Sequence, residues 1–245
     1  MLQNLNNKLS TISFDKFKIF SGSFLKIVAI LSMLIDHAAL VIFSNFDWAT
    51  ASVTVLGRAF SIYSVMRLIG RLAFPIFCFL ITEGFIHTRN RKKYGLSLLL
   101  FALISEIPFN LMVGGSFVYL GGQNVYFTLF LGFLLLCVFE NVSEPYKRVL
   151  CAVGIIIAAY LLRADYGLRG VLLIGITYIF REERLLRTLF AFPCLSGGLA
   201  AFSAFIPINM YNGRRGFIKG KAAKYVFYIF YPLHIIILLV IKQFI

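Results

Sequence analysis

Residues 25–43 read LKIVAILSMLIDHAALVIF, nineteen positions that are apolar except for Lys26, Ser32 and the adjacent pair Asp36 and His37. A helix rising 1.5 Å per residue needs about 20 such residues to cross a hydrocarbon layer of about 30 Å. The stretch therefore reads as a membrane span with an acid and an imidazole near its middle. An ionisable side chain there costs at least ~2.5–3.5 kcal/mol, so the pair marks either a contact between helices or a site of chemistry.

The rest of the chain extends this pattern. It has 245 residues, 60% of them hydrophobic and 14% charged, with a mean hydropathy of +0.87, which excludes both a soluble globule and a disordered chain. Hydropathy predicts about eight helices, at 25–44, 66–87, 94–113, 125–140, 149–163, 168–181, 188–207 and 223–244. The fold class is an all-α polytopic membrane bundle, with transmembrane helices around a polar cavity and the whole of 1–245 as one domain. The fifth and sixth runs are short for full crossings and alternatively form one tilted hairpin. The opening segment, 1–23, lacks a signal-peptide pattern and is expected to lie along the interface, with Phe14, Phe17 and Phe20 dipping in and Lys16 and Lys18 at headgroup level.

Lys plus Arg number 24 against 10 Asp plus Glu, a net of +14. In a chain this apolar the excess follows from retention of basic loops in the cytoplasm, so nucleic acid is not an expected partner and membrane lipid is. The loop bearing Arg89, Arg91, Lys92 and Lys93 is assigned inside, the uncharged GGSFVYLGGQN (114–124) outside, and the N-terminus inside. One stretch conflicts: eight crossings leave Arg214, Arg215, Lys219, Lys221 and Lys224 outside. Either the fifth and sixth runs do not both span, or these charges meet an anionic partner. Cys78, Cys137, Cys151 and Cys194 lie apart in apolar runs without metal-ligand spacing, so no metal is expected.

The intramembrane polar residues carry the functional signal. Lys26 and His37 are eleven residues apart, which returns them to within about 20° of one helix face, separated by about 16 Å along the axis. A ligand whose anionic end meets Lys26 places its far end beside His37, a shape that an extended coenzyme A has. An imidazole titrates near neutral pH and suits removal of a proton from an amine or hydroxyl. Asp36 points about 100° away from His37 and is expected to pair with Arg71 or His234. Glu106 and Asn110 share a face of the third helix, with Pro108 between them bending it; Pro75 and Pro232 are expected to do the same beside Arg71 and His234. Arg214, Arg215 and Lys219, set among Gly213 and Gly216, suit the coenzyme phosphates. The aromatic run Tyr225, Phe227, Tyr228, Phe230 and Tyr231 is assigned to an interfacial belt.

The I-D-H of the first helix, RLAFPIFCFLITEGF (71–85), SEIPFNL (105–111), NVYFTLFLG (124–132), DYGLRGVLL (165–173), YNGRRG (211–216) and KYVFYIFYPLHI (224–235) together resemble the TraX family, bacterial pilin N-acetylases within a wider group of transmembrane acyltransferases. The resemblance runs from about residue 24 to the end. The Lys26-x10-His37 spacing is also similar to the R/K-x10-H signature of the acyltransferase-3 family. These resemblances imply a multi-pass protein of the bacterial cytoplasmic membrane that draws acetyl groups from acetyl-CoA. They imply His37 and Asp36 as catalytic residues, and Arg71, Glu83, Glu106, Asn110, Asp165, Tyr166, Arg169 and His234 as lining the cavity.

The function expected is an acetyltransferase acting on a peptide N-terminus or a surface glycan, with Lys26, Arg214, Arg215 and Lys219 on the acetyl-CoA. His37 serves as general base or carries the acetyl group covalently. A proton-coupled transporter and a non-catalytic assembly factor are the alternatives, the first because intramembrane Asp, Glu and His also build proton relays.

Overall fold

Polar caps start several of the apolar runs in the computed structural model, which describes residues 17–55, 58–218 and 220–245. Helix α1 (Gly22–Val41) begins behind Ser21, whose hydroxyl accepts from the Phe24 amide. A short helix α2 (Asp47–Thr50) and an antiparallel hairpin of β1 (Val53–Val55) and β2 (Arg58–Phe60) follow, the one departure among the described residues from an all-helical chain. A reciprocal Ser61/Ser64 capping box starts α3 (Ile62–Gly70). The backbone breaks at Arg71–Leu72 before α4 (Ala73–His87). Asn90 caps α5 (Arg91–Gly114) and Asn124 caps α6 (Val125–Asn141). Helices α7 (Pro145–Leu161) and α8 (Gly167–Ile179) form a hairpin, and α12 (Lys221–Lys242) closes the chain.

Among the described residues, four segments are long and apolar enough to cross a membrane: 22–45, 62–87, 91–114 and 225–242. The surface agrees with a lipid solvent. Leu96, Leu100, Leu103 and Ile107 form an outward stripe on α5, each more than half exposed, where a soluble helix would be polar. Inside, Ile76, Phe85, Leu98, Leu136, Leu173 and Ile235 are fully buried. Helices α6 and α8 approach closely because Gly132 receives Ile174 and Gly170 receives Thr128; a Cβ at either glycine would overlap its neighbour. The protein is a multi-pass helical membrane bundle; of the about eight helices expected from hydropathy, four lie in segments that meet the length and apolarity of a span among the described residues.

The run expected as a helix over 188–207 is broken into α9 (Arg184–Ala191), a single 3₁₀ turn over Phe192–Cys194, α10 (Gly198–Phe202) and α11 (Phe205–Asn209). Pro193 and Gly198, the latter at φ 55°, break the helical path. The two ends of this segment meet: Arg184 Nη1 donates to the Asn209 carbonyl at 2.7 Å, and Arg187 Nη2 to Asn209 Oδ1 at 2.8 Å. Asn209 Nδ2 in turn donates to Thr188 Oγ1 at 2.9 Å. The segment enters the bundle and returns, with its tip at Leu195–Gly198 against Arg71.

This return resolves the charge conflict. The stretch 211–216 lies against the start of α1, where the Gly22 and Ser23 amides donate to the Arg214 and Arg215 carbonyls, both at 2.9 Å. Gly22, His87 and Arg215 line one cavity, so the Arg89–Lys93 loop and the Arg214–Arg215 loop share an end of the bundle. The run over 188–207 turns back toward the end it came from, which sets the two basic loops at one end of the bundle. Phe17 and Ile19 are exposed beside the 210–212 backbone; the proposed interfacial positions at Phe14 and Lys16 lie outside the described residues.

Candidate functional site

His37 and His234 are brought together across α1 and α12. His37 Nδ1 lies 2.6 Å from His234 Nε2, with the two rings nearly parallel at an interplanar angle of 3°. His234 Nδ1 lies 2.7 Å from the Phe230 carbonyl, and a carbonyl only accepts, so that nitrogen carries the proton. In the neutral pair His234 Nε2 is then the acceptor and His37 Nδ1 the donor. The consequence is a fixed tautomer: the lone pair of His37 sits on Nε2. The Tyr231 ring stands edge-on to both imidazoles, at 6.0 Å from His37 and 5.8 Å from His234.

Asp36 pairs with neither of its two expected partners. Its Oδ2 accepts from Arg67 Nη1 of α3 at 2.7 Å, and its Oδ1 is buried without a partner among the described residues. Arg67 was not among the expected site residues; its signal was the i, i+4 spacing to Arg71, which continues the polar face of that span one turn outward. Asp36 therefore does not orient His37. That position is taken by His234.

A cavity of about 430 Å³ opens at the basic end, within the range of small-molecule sites. Lys26, Glu83, His87 and Arg215 surround its mouth, and Tyr126, Tyr228, Phe77 and Leu129 line its depth. Along α1 it follows Gly22, Lys26 and Met33, the same stripe that carries His37 one turn further on. Met33 and Tyr231 close the inner end, so the shared face of Lys26 and His37 is present but His37 itself does not line the cavity. Lys26 Nζ rests 5.4 Å from the Phe227 ring centroid. Burial, reinforced by the Glu83 carboxylate that it hydrogen-bonds, holds the Tyr211 hydroxyl above the usual tyrosine range.

The other expected residues divide among three places. Arg214 is exposed at the mouth and contributes its carbonyl to Gly22; Lys219 lies outside the described residues. Glu106 accepts from Asn124 Nδ2 at 2.6 Å, and Asn110 Nδ2 donates to the Phe117 carbonyl at 3.0 Å. Both stabilise the segment before α6, and neither lines the cavity. Pro108 stays within a continuous α5, and Pro75 lies in the first turn of α4, so the break falls at Arg71–Leu72 instead. Arg71 and Tyr166 border a small hollow under the tip of the re-entrant segment, and Tyr166 stacks on Phe74 at 3.5 Å. Asp165 and Arg169 flank Tyr166 and are exposed. Tyr166 occupies the left-handed region at φ 62°, an uncommon conformation for a bulky residue. The aromatic run expected as an interfacial belt is partly interior: Tyr231 is 4% exposed, and Phe227 and Tyr228 line the cavity. Among the described residues no three His, Cys, Asp or Glu side chains come together as a metal site requires.

Fold and site define a multi-pass membrane protein with a basic-mouthed cavity and a hydrogen-bonded histidine pair beyond its inner end. The chain belongs to the TraX family, whose model, described as TraX protein, matches residues 21–242. It is similar to the probable fimbrial assembly protein FimC, serogroup H1, of Dichelobacter nodosus, with 29% identity over 255 residues that cover 92% of this chain and 97% of the relative. No solved structure matches.

Proposed function

We propose that this protein is an integral-membrane acetyltransferase of the bacterial inner membrane, with the basic end of the bundle in the cytoplasm. It takes acetyl groups from acetyl-CoA and passes them to an amine or hydroxyl acceptor, a peptide N-terminus or a surface glycan. The observation that carries this reading is the His37–His234 hydrogen bond, which leaves a lone pair on His37 Nε2. The family resemblance to pilin N-acetylases and the fimbrial assembly name of the D. nodosus relative support it.

The cavity fits the donor in shape and charge. Lys26 and Arg215 at the mouth suit phosphate oxygens, and the aromatic interior suits a pantetheine arm directed along α1. Bound acetyl-CoA supplies an activated acyl carbon. His37 Nε2 removes the proton of the acceptor nitrogen or oxygen as that atom bonds to the acyl carbon, and returns it to the departing thiolate. His234 stabilises the charged His37 by accepting from its Nδ1. Access to His37 passes between Met33 and Tyr231, which must turn aside to admit the thioester.

The test is incubation of purified protein with labelled acetyl-CoA and cell-envelope material, wild type beside His37→Ala. Label in an envelope component that depends on His37 is the expected result. Equal transfer by the variant would remove the enzymatic reading and favour an assembly factor; pH-driven solute uptake without acetyl-CoA turnover would favour a transporter.

A further inference from the structure

The donor cavity changes character along its length. Among the described residues, the charge-bearing side chains of its lining, Lys26, Glu83, His87 and Arg215, all stand at the mouth. Its depth is lined by Met33, Ile81, Leu98, Tyr126, Leu129 and Tyr231, none of them more than 8% exposed. A charge carried to that depth would lose its water and meet no counterion, so the end of a ligand that reaches it is uncharged. On α1, Met33 lies seven residues past Lys26 and four before His37, about 10 Å and about 6 Å along the axis. Side chains on a helix lean toward its N-terminal end. Met33 therefore leans into the cavity, and the His37 ring leans back over the turn of Met33, which stands between the two.

The two residues that close the inner end differ in freedom. Tyr231 is held among three rings: Tyr126 at 5.4 Å and nearly perpendicular, His37 at 6.0 Å and His234 at 5.8 Å. Met33 is unbranched, with three rotatable side-chain bonds, so the greater part of any opening falls to it. Its side chain occupies the space that the tail of an acyl group needs once the carbonyl carbon is drawn toward His37. We propose that Met33 is the specificity-determining residue of the donor site: it admits a short, uncharged acyl group and excludes chains of four carbons or more. This inference rests on the acetyltransferase reading and adds to it the residue that sets the length of the transferred group. Each methylene beyond acetyl has to displace Met33 further, and one misfit methylene in an apolar pocket is worth roughly tenfold or more in kcat/KM. A carboxylated acyl group such as succinyl is rejected for a different reason, the burial of its charge.

The test uses the full chain in two measurements. Transfer to cell-envelope material is followed with acetyl-, butyryl- and succinyl-CoA, and binding of the unreactive thioethers S-ethyl- and S-butyl-CoA is followed by calorimetric titration, which reads the pocket without the chemistry. The wild type is expected to prefer acetyl over butyryl, and S-ethyl over S-butyl, by roughly tenfold or more. Met33→Ala brings each pair to within about threefold, because the truncated side chain vacates the space for the longer tail, while succinyl-CoA stays a poor donor in both proteins. Met33→Leu, of similar volume, keeps the wild-type preference. Absence of coenzyme A binding by the wild type removes the donor reading and this inference with it. Binding with a chain-length preference that Met33→Ala leaves unchanged overturns this inference alone, as does equal use of the two chain lengths by the wild type. Should Met33→Ala not fold, Met33→Val, which removes less volume, shifts the preference in the same direction; an unchanged preference there also overturns it.

Discussion

Asp36 Oδ2 and Arg67 Nη1 lie 2.7 Å apart where α1 crosses α3, and the crossing is possible because residue 70 is glycine: a Cβ there would overlap Asp36 Oδ1. The ion pair and the close approach therefore belong to one contact. Gly70→Ala is expected to lower stability by ~1–3 kcal/mol, the range for overpacking, seen as a reduced unfolding midpoint in detergent. An unchanged midpoint would mean that the two helices part without cost.

His234→Ala removes the acceptor that fixes the tautomer of His37. We expect kcat for acetyl transfer to fall roughly 10²–10³-fold, the scale of positioned proton transfer, while KM for acetyl-CoA stays within about twofold, since His234 does not line the donor cavity. Steady-state kinetics separates the two parameters. A raised KM with kcat intact would assign His234 to binding.

Lys26→Ala and Arg215→Ala remove cations from the cavity mouth. Each is expected to weaken coenzyme A binding by roughly 5–20-fold at low salt, with a smaller difference at high salt, by calorimetric titration at two ionic strengths. Arg71→Gln leaves that affinity unchanged, because Arg71 lies outside this cavity. Weakening by Arg71→Gln would show that the two regions are coupled.

Asn209→Ala removes the latch that joins the two ends of the re-entrant segment and leaves the buried Arg187 short of an acceptor. The expected cost is about 1–3 kcal/mol. Cys194, 7% exposed in the native fold, should then react faster with a thiol reagent in a background lacking the other three cysteines.

Cysteines introduced in that way at Arg89, Arg214 and Phe117 test the sidedness. A membrane-impermeant reagent is expected to reach 89 and 214 from one side and 117 from the other, since 89 and 214 share the basic end and 117 follows the far end of α5. Labelling of 214 together with 117 would restore a crossing between α8 and α12.

Much of this architecture was legible along the chain. Apolar runs located seven of the eight helical regions, because each run packs one face and exposes the other to lipid, and its length alone is informative. The run over 188–207 misled because hydropathy measures composition, whereas Pro193, Gly198 and the Arg184–Asn209 contacts decide whether the segment goes through or turns back. Within the site, the shared face of Lys26 and His37 was readable from helical periodicity. The partner of Asp36 was not, since Arg67, Arg71 and His234 are all plausible by residue type and only helix crossing separates them.

From the linear order of residues came the membrane class, the polar stripe on the first helix and the clustering of positive charge in loops, all of which depend on local composition and the period of an α-helix. Three-dimensional packing alone decided that His234, 197 residues away, meets His37, that Tyr231 closes the cavity in front of them, and that the seventh run returns to the end it came from. Those outcomes depend on which helix faces meet across the bundle. That is set by small residues such as Gly70 and Gly132 and by the pairing of a few polar groups, at sequence separations where neighbouring residues carry no record of the contact.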